Sequence, residues 1–232
     1  MAIPLHLAMT ATETFTDPLP EKIAYMACHF SSYGLGISNL PTRLPAGNML
    51  ILNDRIPIWN HEPAVVARQL AETVEEFSCG WVLLDFQRPN EPAAAAVAAE
   101  VLKALPCPVG ISHCYAAEFD CPVFLPPPPP DMPLGRHIAA WAEREIWLEA
   151  ALETLRITVD RSGAVTEFLP QQLPAEPFHR DEGCCCRYHA EISDDKVTFT
   201  LSRGKEDLTD LLNRAEDLGI TRAIGLYQQL GK

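Results

Sequence analysis

"GWVLLDFQRPN", residues 80–90, is the stretch whose reading decides the fold. Four large apolar side chains, Trp81 to Leu84, run without a polar break into Asp85, Phe86, Gln87 and Arg88, and Pro89 then ends the run. A strand that is apolar on both faces belongs in a parallel sheet covered by helices. Ending it in polar side chains of three different chemistries places those groups at one end of the sheet. Side chains alternate along a strand, so Asp85 and Gln87 share one face while Phe86 and Arg88 take the other.

The same unit recurs on both sides of this stretch. KIAYMACHF (22–30) and NMLILND (48–54) read as buried strands, followed by a helix over 62–79 in which Val66, Leu70, Val74 and Phe77 recur at helical spacing. After the opening strand, Asn90 is a helix cap candidate, with Val97, Val101 and Leu105 on one helical face. CPVGISH (107–113), CPVFL (121–125) and EIWLEA (145–150) read as further strands, with five prolines (126–130) and a short helix (133–144) between the last two. Residues 154–169 predict a hairpin turning at Asp160–Gly163, and CRYHAEI and KVTFTL a second one turning at Ser193–Asp195. A helix over 204–218, stopped by Gly219, and a strand over 222–230 complete the chain. Residues 1–20 are polar and proline-punctuated and read as a loose N-terminal arm, leaving 21–232 as a single domain.

About eight candidate strands alternating with helices predict an α/β chain closed as a compact (β/α)8 TIM-type barrel with reduced helices and inserted β-hairpins. A doubly wound sheet would want a Gly-rich phosphate turn, and YGLGISN (33–39) has only two of its glycines and no helix after it. No final helix is read after the last strand, so one flank of the barrel calls for cover, either from the arm or from a second copy of the chain.

In such a barrel the functional mouth lies at the C-terminal ends of the strands. Applied strand by strand, that rule collects His29, Asp54 and Arg55, Asp85, Gln87 and Arg88, Ser112 and His113, Glu149, and Tyr227 with Gln228. Asp54–Arg55 reads equally as a salt bridge on the rim, and Arg88 as a residue folded over it. Adjacent His113 and Cys114 face opposite ways, which argues against a nucleophile–base pair, and GISHC lacks the second glycine of a serine nucleophile elbow. Trp59, Trp81, Trp141 and Trp147 read as core, with Trp147 beside Glu149 also a possible sugar-stacking surface.

Composition narrows the partners. Apolar residues make up 47% and charged ones 21%, the balance of an ordinary globular chain, and the formal net charge is −13. Without a basic face or any Lys/Arg run, nucleic acid and anionic membranes are excluded as expected partners. The first residues lack a basic n-region and an unbroken apolar run, so a cytoplasmic chain with reduced thiols is expected. Of eight cysteines, Cys184, Cys185 and Cys186 are adjacent, a spacing that suits buried thiols better than a tetrahedral metal site. Neither a metal nor a cofactor is expected.

VLLDFQ resembles the strand ending in Asp-x-Glu that marks glycoside hydrolase family 18, the chitinase-type barrels. The resemblance places Asp85 at the carboxylate that orients the substrate acetamido group. Gln87 falls where that family has its general-acid Glu. The two earlier aspartates of the D-x-x-D-x-D-x-E pattern fall at Gly80 and Leu83 and are missing. Tyr227 is loosely similar to the family's site tyrosine. A glutamine amide has no titratable proton, so a general-acid contribution of about 10²–10⁴-fold is lost at that position. Glu149 is the best substitute acid, ahead of Glu153 and Glu118. Three readings therefore remain open: a glycoside-hydrolase-like barrel that binds or processes a carbohydrate through Asp85, Gln87 and Glu149; a non-catalytic glycan-binding barrel; and an enzyme of unrelated chemistry holding an anionic small molecule through Arg55 and Arg88.

Overall fold

The computed structural model describes residues 3–31, 34–37, 44–58, 61–168 and 177–231. The chain divides into two compact units, one of Pro4–Pro126, Trp141–Glu149 and Ile220–Lys232, the other of Met1–Ile3, Pro127–Ala140 and Ala150–Gly219. Trp59 and the Gly/Ser segment around Tyr33 fall partly or wholly outside the described residues.

The first unit is a closed parallel barrel. Its strands in chain order are β1 (Leu5–Met9), β2 (Ile23–Ser31), β4 (Met49–Asn53), β5 (Trp81–Asp85), β6 (Val109–Ser112), β7 (Val123–Leu125), β8 (Ile146–Glu149) and β14 (Arg222–Leu226), with β3 (Gly34–Ile37) added antiparallel to β2. β1 closes the ring, pairing in parallel with β14 on one side and β2 on the other. The opening stretch is thus the fourth barrel strand, and Asp85 lies level with Asn53 of β4.

Residues 5–9 differ here from the loose arm expected of them. LHLAM carries a histidine in a short run that its flanking prolines and threonines disguise, and only closure of the ring gives it two neighbours. The last strand is also shorter than expected: it stops at Leu226, and Tyr227–Leu230 forms a helical turn, α5.

Two helices clad the β4–β5–β6 side. α1 (Pro63–Glu76) starts on a proline, whose missing N–H costs nothing at that position, and buries Val66, Ala67, Leu70, Thr73 and Val74. It stops where Ser78 takes φ 50°, with Cys79 N–H donating to Val74 O and Ser78 N–H to Glu75 O. That is a Schellman stop built without glycine. α2 (Pro92–Ala104) buries Ala94, Val97, Ala98 and Val101. Elsewhere the links are short: a 3-10 turn over Ala116–Glu118 joins β6 to β7, and α3 (Leu134–Ile138) lies between β7 and β8.

Alternate residues of the strands fill the barrel with Ala8, Ala24, Met49, Ile51, Leu83, Phe124, Trp147 and Ile224. Trp147 is the largest of them and is fully buried. Its ring lies over Gly110: a Cβ there would sit 2.5 Å from Trp147 Cε3. The glycine of β6 is what lets an indole occupy the barrel centre.

The second unit is inserted between β8 and β14. It is a five-stranded antiparallel sheet of β9 (Glu153–Asp160), β10 (Val165–Phe168), β11 (His179–Asp181), β12 (Cys186–Ile192) and β13 (Lys196–Arg203), in the order β10-β9-β13-β12-β11, followed by α4 (Lys205–Asp217). Both hairpin turns fall where the sequence places them. Arg203 is buried, and its guanidinium donates to the carbonyls of Pro128, Cys184 and Cys185 and to Glu153 at 3.0 Å. Cys186 Sγ donates to Pro130 O. One arginine thus anchors both the proline run and the cysteine triplet, two features that are unconnected in the sequence. No helix is long and apolar enough to cross a membrane among the described residues.

Candidate functional site

The period-two filling of the barrel fixes which side chains reach its mouth. On β5 the inward positions are Trp81 and Leu83, so Asp85 is the next inward residue. Asp85 and Gln87 meet as the alternation predicts: the Gln87 side-chain amide donates to Asp85 Oδ1. Ser112, at the end of the neighbouring β6, donates to the same oxygen at 3.3 Å. The inward parity of VGIS was the signal for Ser112, since Gly110 and Ser112 alternate with the outward Val109 and Ile111.

Burial pushes the Asp85 carboxyl above the ordinary carboxylate range. The hydrogen bonds from Gln87 and Ser112 oppose that rise, the Asp54 charge adds to it and Arg55 opposes it. Desolvation wins, so the half-buried carboxyl titrates above its ordinary range even with two donors on it.

The loop that carries Gln87 is clamped from both sides. Asp54, 2% exposed, accepts the backbone N–H of Gln87 on Oδ1 at 3.0 Å and that of Arg88 on Oδ2 at 2.9 Å. From β6's end, the Tyr115 hydroxyl donates to Arg88 O and accepts the Glu91 N–H at 3.2 Å. Asp54 therefore positions the loop, with a backbone N–H on each of its oxygens. Tyr115 carried no sequence signal, because a buried tyrosine after a strand reads as core.

Arg55 is exposed beside the mouth and within electrostatic reach of Asp85. Arg88 folds over the rim: its guanidinium donates to Arg55 O at 3.0 Å and lies 3.8 Å from Glu91. His113 follows β6 in an exposed turn, its N–H donating to Phe124 O. Glu149 ends β8 at the inward parity set by Trp147, half-buried and level with Ile224. Tyr227 and Gln228 leave β14 in the α5 turn, and a Cβ on Gly231 would lie 2.2 Å from the Tyr227 ring, so that ring is folded back on the chain end.

Of the substitute acids, Glu153 belongs to the second unit and is ion-paired with Arg203, and Glu118 is exposed on the turn after β6. Trp147, fully buried over Gly110, offers no face for a sugar to stack on. Among the described residues, no group of three or more His, Cys, Asp or Glu side chains is arranged to hold a metal ion.

No protein-family model matches the chain, and no curated protein matches its sequence. Solved structures do match its fold. A GH18 chitinase of Cycas revoluta, a double mutant in complex with (GlcNAc)4, superposes with a TM-score of 0.58 at 8% identity, over 98% of this chain and 96% of that one. A chitinase of Chromobacterium violaceum gives 0.54 at 8%, over 99% and 95%. The spore cortex-lytic enzyme SleL of Bacillus megaterium gives 0.55 at 9%, over 96% and 70%. Identity this low speaks for architecture alone: the chain shares the barrel fold of these solved structures.

Proposed function

We propose that the barrel mouth binds an N-acetylated glycan through Asp85 and holds it without cleaving it. The observation that carries this reading is the contact between the Gln87 amide and the half-buried Asp85 carboxylate at the end of the fourth strand. An acetamido N–H is the natural donor to that carboxylate, and the free Gln87 Oε1 is an acceptor for a sugar hydroxyl. Neither group supplies the proton that a departing glycosidic oxygen needs. Support for the ligand class comes from the fold neighbours, one of which is in complex with (GlcNAc)4.

The reading with Glu149 as relocated acid rests on its half-buried, inward place at the end of β8. The anion-binding reading is disfavoured, because Arg88 is already engaged with Arg55 O and Glu91. A reducing compartment is supported by the eight unpaired cysteines.

Calorimetric titration with chitotetraose, with mass analysis of the incubated sugar, tests the proposal. Saturable binding with the sugar intact is expected. Asp85→Ala weakens it by about 10–100-fold, the cost of losing a hydrogen bond to a charged acceptor. Shortened sugars that vanish in Glu149→Gln would instead establish the relocated acid. No binding of chitotetraose by the wild-type protein would overturn both.

A further inference from the structure

The opposite end of the barrel holds a second polar cluster. β1 and β14 each carry a polar residue two places below an inward one: His6 below Ala8, and Arg222 below Ile224. Both are nearly enclosed, His6 at 1% and Arg222 at 8% exposed. They converge on one indole. The Arg222 guanidinium lies 4.0 Å from the Trp81 ring centre and 5.3 Å from that of Trp147, and the His6 imidazole meets the Trp81 ring edge-on at 5.4 Å.

A guanidinium has five N–H donors and no acceptor. Here Nε finds no hydrogen-bond partner among the described residues, and neither does His6 Nδ1. Aromatic faces satisfy the charge of Arg222 but not its edge donors. Glu145 acts on Arg222 through its charge without an ion pair, its Oε1 being taken by Trp147 Nε1 and Thr221 Oγ1, each at 2.9 Å. Lys22 adds a further positive charge close to His6. Burial, with Arg222 and Lys22, pushes His6 down to about 4, so its ring is neutral at pH 7. Its other nitrogen faces the Ala223 backbone, which favours the N–H there and leaves Nδ1 as an acceptor. One end of the barrel thus presents an unmatched cationic donor beside an unmatched neutral acceptor.

We propose that this N-terminal end of the barrel is a binding site for a small hydroxylated oxyanion of the hydrogen-phosphate type, with Arg222 donating to its charged oxygens and His6 Nδ1 accepting from its hydroxyl. The site is separate from the mouth: Arg222 and Asp85 belong to opposite ends of parallel strands. A low-dielectric setting strengthens such a pairing well beyond its value in water, and a planar guanidinium fixed between rings is pre-organised for two-point recognition of an oxyanion. Sulfate, fully deprotonated, satisfies Arg222 but has nothing to give His6.

The two tryptophans against Arg222 provide the readout. Intrinsic fluorescence of the full chain is titrated with inorganic phosphate, with sulfate, and with sodium chloride at matched ionic strength, and melting temperature is followed in parallel. The expected result is a saturable change with phosphate, a several-fold weaker one with sulfate and none with chloride. At ten times the dissociation constant, phosphate should raise the melting temperature by about 3–5 °C. Arg222→Met, checked for native circular dichroism, should lose the saturable response, and Arg222→Lys should weaken it at least tenfold. A wild-type response to phosphate no different from that to chloride overturns the proposal without recourse to any variant. So does an undiminished response in folded Arg222→Met.

Discussion

Asp85 sits where two opposing effects can be weighed. Burial raises its carboxyl, while Gln87 and Ser112 donate to the charged form and lower it again. Removing a donor leaves the burial unanswered, so Gln87→Ala should move the Asp85 titration upward, as read by carbon-detected NMR of the carboxyl. The linkage has a definite sign. A carboxyl that titrates higher folded than unfolded binds the extra proton in the folded state, so it adds stability as pH falls through the folded value and costs stability above it. Asp85→Asn should therefore melt higher than wild type at pH 7 while losing glycan affinity, the exchange expected of a group kept for binding. Much of this was legible in the sequence: alternation alone paired Asp85 with Gln87. The role of Asp54 was not, because a sequence shows a polar strand end but not that two backbone N–H groups from the next loop will fill both oxygens.

At the scale of elements, β6 and β8 are matched as a glycine and an indole. Gly110→Ala would drive a methyl group to within 2.5 Å of Trp147 Cε3, and neither the strand nor the enclosed ring can give that much. Overpacking of this kind should cost about 1–3 kcal/mol in urea unfolding, with an unchanged m-value. A fully stable Gly110→Ala would show that the indole has room elsewhere and that the barrel centre is looser than described. The fully buried strands announced themselves by continuous apolar runs bounded by polar ends, as in NMLILND and WVLLD. β1 did not, because its five residues include His6 and gain their meaning from a ring closed by β14, at the far end of the chain, and by β2. The last strand was read too long for the converse reason: nothing in YQQL marks Leu226 as the point where the backbone turns helical.

Across the whole molecule, the chain spends about a third of its length on an inserted antiparallel unit and keeps the barrel itself spare, with α1 and α2 its longest helices. The hairpins of that unit were readable from their turns. Its independence as a compact unit was not, since nothing local marks where Arg203 would gather the proline run and the cysteine triplet. Global stability should also record the barrel's lower end. His6 is held at about 4 mainly by burial, against 6.5 for the unperturbed group. Between those values the unfolded chain takes up a proton that the folded one refuses, so stability is complete above about pH 6.5 and falls toward pH 4 by up to about 3 kcal/mol. His6→Leu should flatten that part of the pH–stability curve in denaturant titrations, and an unaltered slope would show that His6 is protonated in the folded state. The central claim, a glycan seated on Asp85 and Gln87, is tested most directly by following the Gln87 side-chain amide in nitrogen-edited NMR during titration with chitotetraose. The account predicts a saturable shift of that amide, absent in Asp85→Ala, with the sugar recovered intact. An amide that stays still while chitotetraose binds elsewhere on the chain would contradict it.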